Sequence, residues 1–145
     1  MFVGKYNNSI DKKSRLIIPA KYRYELDGQC ILAKGLDGCL SIYTKKSWDE
    51  FVTEKLNELP EADANARRLK RYYYANASEC DIDNQGRITI PAEYKEYASI
   101  DKELITIGCF DKIEVWSKES WEATVDSESL DPAQLACEVN KYNKL

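Results

Sequence analysis

Apolar residues fall along this chain in short bursts set between polar turns, with three stretches of longer, helix-like spacing. Met1 to Tyr6 reads as a short strand and Asn7-Asn8-Ser9 as the turn after it. Leu16-Ile17-Ile18 is a β-prone burst closed by Pro19, a residue suited to open the helical turn expected over Lys21 to Leu26. Asp27-Gly28 breaks that turn. Cys30-Ile31-Leu32-Ala33 and Leu40-Ser41-Ile42-Tyr43 then read as a hairpin whose loop carries Gly35 and Gly38. The spacing changes next: Trp48, Phe51, Val52, Leu56 and Leu59 mark an amphipathic helix, with Ser47 and Glu50 as a capping box and Pro60 as the stop. A second helical stretch begins near Asp63, and Asp131-Pro132 opens a last helix with Leu135 and Val139 four apart, suited to docking.

The same order of elements occurs twice. DNQGRITIP at Asp83 to Pro91 echoes DKKSRLIIP at Asp11 to Pro19, seventy-two positions earlier. Downstream, Gly35 matches Gly108, Ile42 matches Val115, Tyr43 matches Trp116, Ser47 matches Ser120 and Trp48 matches Trp121, all at an offset of seventy-three. A match of pattern over this length indicates duplication. The expected division is a first repeat with its helix over 1–62, a helical connector over 63–80, a second repeat over 81–125 and a C-terminal helix over 126–145. Each repeat alone offers about four short strands with exposed edges, a marginal unit. Interleaving both copies removes the edges, so the expected fold is α+β and β-rich. It is a single pseudo-twofold β-barrel, closed, with peripheral helices.

Composition fits this picture. At 145 residues, 43% hydrophobic and 32% charged, the chain is a globular domain or two small halves sharing a core. No apolar run approaches the roughly 20 residues of a membrane helix, and MFVGKYNNSID lacks the pattern of a secretory leader. Five cysteines, an odd number with no C-x-x-C pair, are expected to be reduced and mostly structural in a cytoplasmic protein. Net charge is −4, but its distribution is uneven. Met1 to Tyr24 holds six basic residues against one acid, whereas Glu114 to Leu145 holds seven acids against three lysines. One basic face on an acidic molecule is therefore expected.

Candidate chemistry centres on the doubled element. Arg15 and Arg87 can each donate two hydrogen bonds to a guanine edge or a phosphate, or each can simply be paired with the Asp four residues before it to pin a turn. Asp11 and Asp83 are read as loop-orienting, since a carboxylate facing phosphate would be repelled. Lys12 and Lys13 in the first loop stand where the second has Asn84 and Gln85, so the copies are unequal: one for phosphate attraction, the other for amide contacts. Arg67-Arg68-Leu69-Lys70-Arg71-Tyr72-Tyr73-Tyr74 has the composition of a nucleic-acid patch, but is read as the end of a helix, with basic residues at its C-terminal dipole and tyrosines packed in the core or between subunits. Trp48, Trp116 and Trp121 are read as core or interface anchors. No histidine, zinc-ligand spacing, phosphate loop or nucleophile elbow is present, so an enzyme, a metal site and a cofactor are not expected.

Asp11 to Arg15 and Asp83 to Arg87, with G-x-x-x-C-L at Gly35 to Leu40 and I-G-x-x-x-x-I-E-x-W at Ile107 to Trp116, resemble the MraZ family over nearly the whole chain. Ser14 stands where many members have glycine, Gly86 keeps it, and Asn8 stands where many have histidine. The resemblance implies the AbrB-like swapped-hairpin class and a ring-shaped homo-oligomer, octamer or dodecamer. It also implies a nucleoid-associated, cytoplasmic transcriptional regulator of the division and cell-wall gene cluster, binding direct repeats in promoter double-stranded DNA. On that basis Arg15, Arg87, Lys12, Lys13, Asn84 and Gln85 are the expected DNA-binding residues, with Asp11, Asp83 and Gly86 orienting the loops. Two other readings stand beside this one: an oligomeric scaffold of the same fold without DNA binding, and an RNA-binding module resting on the Arg-Tyr stretch.

Overall fold

A computed structural model describes residues 1–125 and 130–140. Eight strands form: β1 (Lys5–Ser9), β2 (Arg15–Ile17), β3 (Gln29–Lys34), β4 (Leu40–Tyr43), β5 (Ala77–Asp81), β6 (Arg87–Thr89), β7 (Glu103–Gly108) and β8 (Lys112–Ser117). The α-helices are α1 (Ala20–Leu26), α2 (Lys45–Phe51), α3 (Ala64–Ala75), α4 (Ala92–Tyr97), α5 (Lys118–Thr124) and α6 (Pro132–Val139). In the expected C-terminal helix, positions 126–129 and 141–145 lie outside the described residues.

Two sheets result, both antiparallel. Six strands run in the order β1-β7-β8-β4-β3-β5, and β2 pairs with β6 alone. Strand exchange is the organising feature: β1 pairs with β7 of the second half, and its counterpart β5 pairs with β3 of the first. The halves meet again at β4·β8, where Ile42 faces Ile113 and Leu40 faces Val115, and at β2·β6, where Leu16 faces Ile88. A pseudo-twofold axis runs through both junctions. The expected closed barrel does not form. Linear strand order leaves β1 and β5 as edges, and the three-residue strands β2 and β6 are satisfied by each other instead of joining those edges.

Core packing explains the strand pattern. Leu16, Ile18, Ile88 and Ile90 turn inward from the β2·β6 ribbon onto Leu32, Leu40, Ile42, Leu104, Ile113 and Val115 of the large sheet, beside Tyr22 and Tyr94. Burial of each such aliphatic side chain stabilises the fold by about 1.5–3 kcal/mol. The sheet's other face is covered by helices. Trp48 and Phe51 of α2 pack on Ile31, Ala33 and Tyr43, and Trp121 of α5 packs on Ile105 and Trp116. β3 and β4 are therefore buried on both faces, which is why they read as continuous apolar runs.

Local differences from the sequence pattern have physical causes. Asn7, Asn8 and Ser9 are strand, because their backbone groups complete the ladder with Ile105, Leu104 and Glu103. The cap of α2 is Thr44, whose Oγ1 accepts from the Ser47 N–H at 2.9 Å; Ser117 does the same for Ser120 at 3.0 Å. α2 ends at Phe51 and widens into a π-helical turn over Val52–Leu56 before Pro60. The helical stretch after Asp63 ends at Ala75, and β5 follows within the span expected to be connector. Gly108 takes the ladder place of Lys34, not of Gly35: Lys34 faces Leu40 and Gly108 faces Ile113. A side chain there would meet the Phe2 and Val3 backbone, its Cβ falling 2.4 Å from the nearest atoms. All five cysteines are free thiols, and Cys30 and Cys39 are buried. Among the described residues no helix is long and apolar enough to cross a membrane.

Candidate nucleic-acid interface

The β2·β6 ribbon and the two loops that lead into it carry Lys12, Lys13, Arg15 and Arg87, with an aspartate at the start of each loop. Each loop is closed by its own backbone. The Asp11 N–H donates to the Arg15 carbonyl at 3.0 Å and the Ser14 N–H to the Asp11 carbonyl at 3.0 Å; Asp83, Gly86 and Arg87 repeat this, both at 2.9 Å. This tight turn needs a left-handed residue at its fourth position, and Ser14 (φ 60°) and Gly86 (φ 77°) supply it. The left-handed residues also tie the loops together: Ile18 N–H donates to the Gly86 carbonyl at 2.9 Å, and Ile90 N–H to the Ser14 carbonyl at 2.8 Å.

The aspartates orient the arginines. Asp11 Oδ1 accepts from the Lys13 and Arg15 backbone N–H groups, each at 2.9 Å, and Oδ2 accepts from Arg15 Nε at 2.8 Å. In the second loop Asp83 accepts from the Gln85 N–H at 2.9 Å, from the Arg87 N–H at 2.8 Å and from Arg87 Nε at 2.8 Å. These donors, the Arg15 and Arg87 backbone N–H groups foremost, hold both carboxyls below the ordinary carboxylate range. Each guanidinium is thus gripped at Nε, and among the described residues neither terminal nitrogen is hydrogen-bonded to protein. That is the geometry of a bidentate donor held ready for an external acceptor pair. Lys12, Lys13, Asn84 and Gln85 are exposed on the loop tips around them.

Two cations join the site that the sequence pattern did not single out. Arg23 of α1 donates from Nε to the Ile18 carbonyl at 2.8 Å and lies against Gly86 of the opposite loop, where a Cβ would come within 2.2 Å of its Nε. Lys95 of α4 donates from Nζ to Ser14 Oγ of the first loop at 3.0 Å. The two are seventy-two positions apart, so the repeat itself held the signal. Each loop is therefore backed by a cation from the other half. Strand alternation also leaves Ile17 and Thr89 exposed on the ribbon's outer side, beside the arginines.

Part of the Arg-Tyr stretch is engaged within the chain. Arg67 donates to the Glu61 carbonyl at 2.9 Å and Lys70 to the Glu61 carboxylate at 2.8 Å. Tyr72 donates to the Gly35 carbonyl at 2.7 Å and Tyr73 is buried, whereas Tyr74, against the expectation of packing, is exposed and donates to Asn57 at 2.7 Å. Its basic residues stop short of the helix's last turn, so the expected dipole contact is not made.

Fold and site together define an internally duplicated α+β protein whose halves exchange strands and present a paired-arginine ribbon. The family model of the MraZ protein matches residues 1–72 and again residues 73–136. The chain is 46% identical over 134 residues to the Transcriptional regulator MraZ of Clostridium acetobutylicum, covering 90% of this chain and 94% of that relative. To the protein of the same name from Clostridium tetani it is 44% identical over 136 residues, 94% of each chain, and to that of Caldanaerobacter subterraneus subsp. tengcongensis 42% over 143 residues, 99% of each. The chain belongs to the MraZ family.

Proposed function

We propose that this protein is a transcriptional regulator that binds double-stranded DNA in a sequence-specific way through Arg15 and Arg87, without catalysing a reaction. The observation that carries this reading is the Nε–Oδ2 grip in both loops, which orients each guanidinium and leaves both terminal nitrogens for a guanine edge or a phosphate. Its relatives' name, transcriptional regulator, points the same way. Lys12 and Lys13, with Arg23 and Lys95 behind the loops, supply phosphate attraction, and Asn84 and Gln85 supply amide contacts.

One ribbon makes few contacts. A ring of copies, octamer or dodecamer, displays many ribbons at fixed spacing, so later contacts become intramolecular and DNA with several direct repeats in register is favoured. Such repeats are expected in the promoter of the division and cell-wall gene cluster, placing the protein on the nucleoid in the cytoplasm. The test is a gel shift on that promoter with the Arg15→Ala, Arg87→Ala double variant, alongside its mass by light scattering. Loss of retention at unchanged mass is expected; retention equal to wild type overturns the proposal in favour of a scaffold.

A further inference from the structure

We infer that Ile17 and Thr89 are specificity-determining residues, whose methyl groups rest on thymine 5-methyl groups in the major groove while Arg15 and Arg87 engage the neighbouring guanines. This rests on the DNA-binding reading above. The ribbon's outer side consists of four side chains in two cross-strand pairs, Arg15 opposite Thr89 and Ile17 opposite Arg87. Directly opposed residues on one face of an antiparallel pair stand with Cβ atoms about 5 Å apart. Each arginine therefore has a methyl-bearing partner at its side, at a separation suited to an adjacent base pair about 3.4 Å along the strand. A two-stranded ribbon is also a shape that the major groove admits.

Among the described residues the Ile17 side chain belongs to none of the hydrophobic core clusters. Its neighbours Leu16 and Ile18 are 0% and 1% exposed and belong to the core, whereas Ile17 is 51% exposed. Outside the β2·β6 pairing, its one hydrogen bond among the described residues is at the backbone carbonyl, which accepts from Asn8 Nδ2 at 3.3 Å. An isolated exposed isoleucine is ordinary on a protein surface. This one differs in that the pseudo-twofold puts Thr89, also methyl-bearing and exposed, at the matching place beside the other arginine. A protein partner would have to cover two guanidinium groups whose terminal nitrogens are unengaged among the described residues to reach either residue. A groove offers them acceptors and, at A·T pairs, the one methyl group that a base presents. Discrimination of thymine from cytosine or uracil thus falls to the ribbon's apolar positions, and that of guanine to its arginines.

The test uses full-length protein and duplexes selected in vitro from a random double-stranded pool. Each thymine in a selected duplex is replaced singly by deoxyuridine, which removes only the 5-methyl group. Wild type should lose about fourfold in affinity at one or two positions, the value of one buried methyl. Ile17→Ala and Thr89→Ser, checked for folding by their Tm, should each become indifferent to one of these replacements. If wild type selects no duplex, the DNA-binding reading itself fails. If selected DNA is bound through Arg15 and Arg87 yet every deoxyuridine duplex affects wild type and both variants alike, this inference fails and that reading stands. A change of oligomer mass in Ile17→Ala with unaltered thymine dependence also overturns it, marking the ribbon as a protein interface.

Discussion

At the scale of single residues, the informative groups are the two aspartates. One carboxylate in each loop takes two backbone N–H groups and one arginine Nε, so it shapes the turn and aims the cation at once. Because their folded pKa values lie below the ordinary 3.8, Asp11 and Asp83 bind protons less readily folded than unfolded. Their contribution is complete above that ordinary value and is lost as pH falls through the lower folded one. The groups are solvent-exposed, so the effect is modest. Urea titrations of wild type and of the Asp11→Asn, Asp83→Asn double variant should show a stability gap that is constant from about pH 7 to pH 5 and narrows below about pH 4. A gap that widens on acidification would place the pH sensitivity elsewhere. The Asp-x-x-x-Arg spacing made this pairing legible in the sequence, because a turn returns its fourth neighbour to the first. The freedom of the terminal nitrogens was not legible, since it depends on what else approaches them in space.

At the scale of elements, each loop is fitted to a helix of the other half. Ser14 has Lys95 as its hydrogen-bonding neighbour, while Gly86 has the Arg23 side chain lying where a Cβ would be. The loop residue and the helix cation therefore form a matched pair in each copy: serine with lysine, glycine with arginine. Gly86→Ser alone should cost about 1–2 kcal/mol, from left-handed strain and displacement of Arg23. Adding Arg23→Lys, which turns the second loop into a copy of the first, should recover roughly 1 kcal/mol, a coupling to be read from a denaturation double-mutant cycle. Strict additivity would show that the two positions do not communicate. The hairpins, the helix after Asp63 and both Pro-Ala turns were legible, because local turn chemistry and apolar spacing decide them. Strand β1 lies later than its apolar pattern predicts, and its Asn-Asn-Ser end, a turn by local preference, is strand. There the partner is β7, nearly a hundred residues away, and its ladder overrides the local preference of asparagine. The cap of α2 lies three residues before the serine that the capping-box pattern predicts, since Thr44 offers the same oxygen one turn earlier.

At the scale of the whole molecule, duplication was legible, but its consequence was only half so. Interleaving follows from the weakness of either half alone; closure does not, because pairing of β2 with β6 uses up the strands that a barrel would need. The open arrangement sets that ribbon apart from the large sheet and gives it an outer side. The molecule carries −4 overall, yet Lys12, Lys13, Arg15 and Arg87 lie on the ribbon and its loops with Arg23 and Lys95 behind them, against two acids, Asp11 and Asp83. If these cations meet phosphates, each contact releases condensed counterions and steepens the salt dependence of binding by about 0.9 in the log–log slope. The two loops should then differ, since the first carries two lysines where the second carries neutral amides. Lys12→Ala with Lys13→Ala should flatten the slope by nearly two, measured by fluorescence anisotropy between about 50 and 200 mM salt. Asn84→Ala with Gln85→Ala should weaken binding at every salt concentration and leave the slope where it was. An unchanged slope in the lysine variant would mean that its loop touches bases or nothing, and the functional inequality of the two copies would have to be abandoned.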